Sequence, residues 1–366
     1  VFPADNWWNR KVTGLKIRKT SRAIIRRQAA GHPIHLDLGT TEAYYGVPVT
    51  VVAAGQPRKP LSFGVGGEDY RDESDTGPVP FPDNTHIEGG TSATDGLLNR
   101  TVDARYLLAT GYEAAVGTAG ITGTTSAANP RVVARIFADG SVDSSTALND
   151  AASATNFRSA ASIDGTAFWV TGGAGTAVRY ATYGSTTSTQ LFTTPSNFRF
   201  LSIVGGQLYV SSGAGSFRLA TVGTGTPTTA GQALTNLPGV STTALYDQFF
   251  FADLSGGVAG VDTLYVADET NTVGIIKHSL VGGTWVSNGS VPGTSFAGLT
   301  GVVNGGAVEL YAVRNGTDLV KITDSSGYNG SLTGTIATTI RLAATNTESP
   351  RVSRRPIGLS QVGMTA

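Results

Sequence analysis

"SIDGTAFWVTGGAG", from Ser162 to Gly175, aligns without a gap on "SIVGGQLYVSSGAG", from Ser202 to Gly215, forty residues further on. Ser, Ile, Gly, Val and the closing Gly-Ala-Gly are identical. Each copy is preceded by Asn-Phe-Arg, at Asn156 and Asn197. Longer-spaced copies begin at Asp262 ("DTLYVADETNTVGIIKHSL") and Val308 ("VELYAVRNGTDLVKITD"), and a weaker one at Asp103 ("DARYLLATG"). The large residue of each copy falls at Leu108, Trp169, Tyr209, Tyr265 and Tyr311. A β-propeller blade needs roughly 40 to 50 residues for four short antiparallel strands. Two of the four intervals have that length. The other two need insertions, and "YEAAVGTAGITGTTSAANP" and "FFFADLSGGVAGV" are candidates.

Each unit reads as hairpins. "TAFWV" is apolar on both faces, as a strand buried between neighbouring blades must be. The Gly-rich stretches after it supply left-handed turn positions. "AVRYATY", "SFRLATV", "GIIKHSL" and "LVKITD" follow with partial alternation, which suits a more exposed strand. A sandwich or solenoid is the rival, but a sandwich has no need of homologous forty-residue units. The expected fold is therefore all-β: a β-propeller of six or seven blades with a Pro-rich, mostly non-repeating N-terminal segment. The sections around 130–148 and 332–345 would complete the blade count. The division is 1–90 for the N-terminal segment, 91–347 for the repeats and 348–366 for a tail.

Of 366 residues only 14% are charged, and 48 are Gly. Such a chain is poor in helix formers and rich in turn and strand formers. The formal net charge is zero, which removes any whole-molecule attraction to nucleic acid. There is no cysteine, hence no disulfide or thiolate metal site. No apolar run approaches the ~18 residues of a membrane span. A Thr/Ser/Gly-rich, Lys-poor β chain points to an extracellular or cell-surface protein. Eight basic residues lie between Arg10 and Arg27, and seven acidic ones between Glu68 and Glu88. The two groups nearly cancel and could pair with each other.

From about residue 90 to 347 the chain resembles a group of secreted or surface microbial proteins with Gly/Thr-rich propeller-like repeats. The stretches that carry the likeness include "RYLLATGYEAAVGTAGITGTTSA", "RVVARIFADGSVDSSTAL", "GQLYVSSGAGSFRLATVGTGTPTT", "FFFADLSGGVAGVDTLYVADE" and "HSLVGGTWVSNG". That resemblance implies a fold and a cellular address, not a reaction. The first ninety residues, with "VFPADNWWN", "HPIHLDLGT", "YGVPVTVV", "DESDTGPVPFP" and "IEGG", resemble the opening of another set of uncharacterised secreted microbial proteins. "LKIRKTSRAIIRRQAAG" is far more basic than the pattern of that second set, and the tail "TESPRVSRRPIGLSQVGMTA" departs from the repeat group, which would close with another apolar strand.

Candidate chemistry concentrates in that first segment. Asp72, Glu73, Asp75 and Glu88 could bind Ca²⁺ or form an acid/base pair, against a plain reading as solvated loop. Calcium is the one cofactor they suggest; otherwise none is expected. His32, His35, Asp37 and His86 have the chemistry of a divalent metal site, although Pro33 argues against a helix there. Trp7, Trp8, Tyr44 and Tyr45 could stack on sugar rings, though such pairs are more often core. The acids of "ADETNT" read as turn residues without chemistry, since the sister copies carry "TGGAG" and "SSGAG" there. His278 reads as structural. Sequons occur at Asn99, Asn288, Asn315 and Asn329; the last three are Asn-Gly, which a type I′ hairpin turn explains.

The leading functional reading is a secreted, non-enzymatic propeller acting as a surface, matrix or adhesion module. Its partners would be an extracellular polysaccharide, a surface protein or further copies of itself. It predicts no perturbed carboxylate pair in a pocket. A carbohydrate-active hydrolase or lyase is the alternative and predicts two carboxyl groups roughly 5 to 10 Å apart in a cleft. A lectin-like propeller is the other and predicts exposed aromatics on each blade.

Overall fold

The computed structural model describes residues 86–87, 94–115, 118–270, 272–314, 318–332 and 338–342. The chain divides into two units, Val1–Glu68 and Asp69–Ala366, and everything described belongs to the second.

Five antiparallel sheets follow one another along the chain. The first comprises β1 (His86–Ile87), β2 (Asn99–Arg100), β3 (Leu107–Glu113), β4 (Arg131–Ile136) and β5 (Val142–Leu148). β1 and β2 both pair with the same edge of β3, so they are two halves of one interrupted strand. The second has β6 (Phe157–Ala161), β7 (Ala167–Gly172), β8 (Arg179–Thr182) and β9 (Thr189–Gln190). The third has β10 (Phe198–Val204), β11 (Gln207–Ser212), β12 (Leu219–Val222) and β13 (Leu234–Asn236). The fourth has β14 (Tyr246–Ala252), β15 (Thr263–Asp268), β16 (Gly274–Val281) and β17 (Thr284–Val291). The fifth has β18 (Phe296–Asn304), β19 (Ala307–Arg314), β20 (Asp318–Asp324) and β21 (Thr338–Leu342).

Successive first strands β6, β10, β14 and β18 touch one another, so the sheets stand side by side as blades about an axis. This is a β-propeller. Among the described residues there are five blades. The sections around 130–148 and 332–345 add none, because they supply β4 and β5 of the first sheet and β21 of the fifth.

Leu108, Trp169, Tyr209, Tyr265 and Tyr311 all fall on the second strand of a blade, as the repeat requires. Strand alternation sends neighbouring side chains into different interfaces. Phe168 and Val170 pack with Leu108 and Val133 of the first blade, while Trp169, between them, packs with Leu201 and Val210 of the third. Phe249 and Phe251 face the third blade, and Phe250 packs against the core shared with the fifth. That is why "TAFWV" and "FFF" carry no polar alternation. The third strands are less uniform. β20 alternates in part and β8 hardly does, while β16 is buried at five of its eight positions, with Ile276 packing toward the third blade and Ile275 toward the fifth.

Within that interface Lys277 meets Asp324 at 2.8 Å, both buried. Tyr265 also donates to Asp324 (2.5 Å), and Lys277 donates to Ser326 Oγ (2.7 Å) and the Gly327 carbonyl (2.6 Å). Every polar group here is saturated, as a buried ion pair must be. Lys277→Met is expected to lower unfolding free energy by about 3–5 kcal/mol, because Asp324 loses its counter-charge. Adding Asp324→Leu should recover much of the loss, which urea denaturation of the single and double variants would check.

Candidate functional site

The register of the first hairpin shifts at the same place in four blades: between Phe157 and Ser159, Phe198 and Leu201, Tyr246 and Phe249, and Phe296 and Gly298. Each is a β-bulge directly after an aromatic residue. A bulge frees backbone groups and re-aims a side chain. The freed groups find partners on neighbouring blades. Thr110 donates to the Phe157 carbonyl (3.2 Å), and Ser211 to that of Asp247 (2.5 Å). Leu201 N–H donates to Ser159 Oγ (3.1 Å), and Leu299 N–H to Gln248 Oε1 (2.7 Å). The residues directly after those aromatics are Arg158, Arg199, Asp247 and Ala297; in the third and fourth blades Phe200 and Gln248 share the bulge.

Three of those four are charged, and they gather with Asp95 and Glu269. Arg158 Nε stands 3.5 Å from Asp95, Arg199 Nε 3.7 Å from Asp247, and Arg199 Nη2 3.4 Å from Glu269. Arg158 Nη1 also donates to Asn197 Oδ1 (2.6 Å) and the Phe198 carbonyl (3.1 Å), and Arg199 Nη1 to Thr94 Oγ1 (2.9 Å). Glu269 and Arg199 reach solvent, with 24% and 17% of their side chains exposed; Arg158, Asp95 and Asp247 lie deeper, at 8%, 2% and 0%. A side chain on Gly213 would come within 3.1 Å of the Arg199 guanidinium, so that glycine keeps its flank open.

Asp247 is the anomaly. It is fully buried, and neither carboxyl oxygen accepts a hydrogen bond. Burial first, then the charge of Glu269, pushes its pKa well above the carboxylate range, against the pull of Arg199 and Arg158. Glu269 lies within hydrogen-bond reach of it, so a protonated Asp247 can donate there. The cluster then balances two guanidiniums against two carboxylates. Burial, followed by the like charge of Arg199, lowers the pKa of Arg158, yet a guanidinium stays charged.

Glu269 corrects the sequence reading. The first two residues of "ADETNT", expected in the turn, end β15 instead, and Asp268 accepts from the Thr270 N–H (2.7 Å), an ordinary Asx contact. Asp262 likewise clamps the Leu254 and Ser255 N–H groups at 3.0 and 2.6 Å. Glu269 instead joins a charged cluster. The available signal was its departure from the glycines of the sister turns, together with the repeated Asn-Phe-Arg. His278 is structural: burial lowers its pKa to about 4, so it stays neutral in β16.

Asp72, Glu73, Asp75, Glu88, Trp7, Trp8, Tyr44, Tyr45, His32, His35 and Asp37 lie outside the described residues. His86 is in β1, paired with Glu113. Among the described residues, no three His, Cys, Asp or Glu side chains gather as a metal site, and no helix is long and apolar enough to cross a membrane. Asn288-Gly289 is not a hairpin turn but lies within β17, where the Asn288 carbonyl accepts from Leu332 (2.6 Å). Asn99 is buried with its amide engaged, which closes that sequon in the folded chain.

The raised pKa of Asp247 sets a pH dependence. The native state holds this proton more tightly than the unfolded chain, whose Asp titrates near ~3.9. The stabilisation is complete below about pH 4 and declines as pH climbs towards the folded value. Asp247→Asn should raise the urea midpoint at neutral pH and flatten its fall as pH rises above about 4. An unchanged profile would contradict this assignment.

No family model matches the chain, and no curated sequence is similar to it, so the resemblance to the secreted repeat group stands on its motifs alone. Several solved structures are similar in fold. A gluconolactonase from Xanthomonas campestris aligns at 15% identity and TM-score 0.43 over 72% of this chain and 82% of that one. The WD40 β-propeller domain of Doa1 aligns at 12% and 0.39, over 66% and 68%. An auxiliary nutrient binding protein from Bacteroides thetaiotaomicron aligns at 12% and 0.41, over 64% of this chain and 65% of that one, just under two thirds of its length. What the chain shares with these proteins is the propeller fold.

Proposed function

We propose that this chain is a non-enzymatic, extracellular or surface-exposed binding module that holds an acidic saccharide at the bulge cluster. The observation that carries the reading is the contrast between two sets of ion pairs. Lys277 and Asp324 are sealed at 2.8 Å with every group saturated. The pairs around Arg158 and Arg199 are longer, 3.4 to 3.7 Å, with Asp247 left without a donor. Blade packing has no need of such a cluster, since the fifth blade places Ala297 at the same bulge. Strongly perturbed, incompletely satisfied charges mark functional sites more often than structural ones. Adjacent guanidiniums suit a carboxylate, and Glu269, the most exposed member of the cluster, suits a sugar hydroxyl.

The same geometry weighs against hydrolysis. Asp247 and Glu269 are within hydrogen-bond reach of each other. Carboxyls that cleave a glycoside stand roughly 5 to 9.5 Å apart, on either side of the bond. The repeat aromatics do not form the exposed set a lectin-like surface needs, since Trp169 and Tyr265 are buried and Tyr209 and Tyr311 half-buried.

A glycan array carrying uronic-acid and neutral polysaccharides tests the proposal. Binding is expected for the acidic set alone, weakening with added salt and falling at least about tenfold in Arg199→Ala, the loss of one charge-assisted contact. Reducing ends released from any bound polysaccharide would overturn the non-enzymatic reading. Absence of binding to every acidic glycan would overturn the site.

A further inference from the structure

The chain that enters the first blade, Thr94 to Asn99, does not stay with that blade. It runs across the first strands of three others. The Asn99 amide donates to the carbonyls of Ala160 in β6 (3.1 Å) and Leu201 in β10 (2.8 Å). The Leu98 carbonyl accepts from Gln248 in β14 (3.0 Å), and Leu97 is buried with Phe200, Tyr246 and Phe249. Further back, Asp95 faces Arg158 and accepts from the Asn156 amide, and Thr94 accepts from Arg199. Both arginines of the proposed binding site are therefore met by one short strap.

We propose that Asp95 is an internal ligand of this site. Its carboxylate stands in front of Arg158 where the carboxylate of an acidic saccharide would stand, and Thr94 and Asp95 must lift for that ligand to bind. The inference rests on the binding reading above and adds its regulation.

Three observations carry it. The strap is held by different forces along its length: Leu97 to Asn99 are anchored by apolar burial as well as hydrogen bonds, whereas Thr94 and Asp95 are held by polar partners that an incoming carboxylate can replace, Arg199, the Asn156 amide and Arg158 at 3.5 Å among them. Gly96, between the two parts, has φ +70°, a conformation that favours glycine and gives the strap a pivot. Arg158 is positioned independently through Asn197 and the Phe198 carbonyl, so it keeps its place when Asp95 leaves. The charges agree as well. With Asp247 protonated, the closed cluster is balanced; with Asp95 lifted, it carries one net positive charge, the complement of one carboxylate.

Calorimetric titration of trigalacturonate into wild type, Asp95→Asn and Arg199→Ala, with maltotriose as the neutral control, tests this. Asp95→Asn keeps the side-chain shape and removes the competing charge. It should bind trigalacturonate about tenfold more tightly than wild type, because less of the protein is held in the closed state. Arg199→Ala should bind trigalacturonate at least about tenfold more weakly than wild type, and neither protein should bind maltotriose. If wild type binds and Asp95→Asn binds equally or less tightly, the strap inference is overturned and the binding site stands. If neither binds, the site itself is overturned and the strap with it. Should Asp95→Asn fail to fold, hydrogen exchange on wild type decides. Faster exchange at the amides of Asp95 to Leu97 under saturating trigalacturonate supports a lifting strap; unchanged or slower exchange overturns it.

Discussion

Each central strand of this propeller has to be buried on both faces, and no blade can do that alone. Phe168 and Trp169 are adjacent residues of one strand, yet they belong to cores on opposite sides of their sheet. Apolar area removed from water stabilises at roughly 25 cal/mol per Å², so a blade without neighbours would forfeit one interface or both. The two-sided apolar strands, the radial stacking and the polar side chains buried between blades all follow from that. Ser159, Ser211 and Gln248 are buried because they satisfy backbone groups that the adjoining blade's bulge has unpaired.

The bulge joins architecture to chemistry. Repetition puts the same backbone irregularity in four blades, and the residue that occupies it is free to vary. Arg, Arg, Asp and Ala occur there in succession. Evenly repeated backbone with unevenly repeated charge yields an asymmetric site on a nearly symmetric frame. Glu269 and Asp95 complete it from a turn and a strap. Neither pairs with a strand, whereas Lys277 and Asp324 lie on strands and are sealed between two blades.

Repeat length, second-strand aromatics and turns were legible in the chain because each depends on neighbours within one blade. The charged cluster was half legible. Asn-Phe-Arg was visible twice, but Arg158 and Arg199 are forty-one positions apart and nothing local shows that they approach. Glu269 was set aside as a turn residue because its neighbours in sequence are turn residues; its neighbours in space are Asp247 and Arg199. Asn288-Gly289 was misplaced for a similar reason. Asn-Gly favours a hairpin turn locally, while here the tertiary contact to Leu332 holds it inside a strand.

By itself the sequence determined an all-β chain of repeated four-stranded units with apolar central strands, since alternation and turn chemistry act over a few residues. Only the tertiary structure decided which charges share an environment. Coulomb and desolvation energies depend on distance and burial, not on separation along the chain. The pKa of Asp247 is raised because the fourth blade's first strand buries it, beside Glu269. Asp95 faces Arg158 because a strap from the first blade crosses to the second.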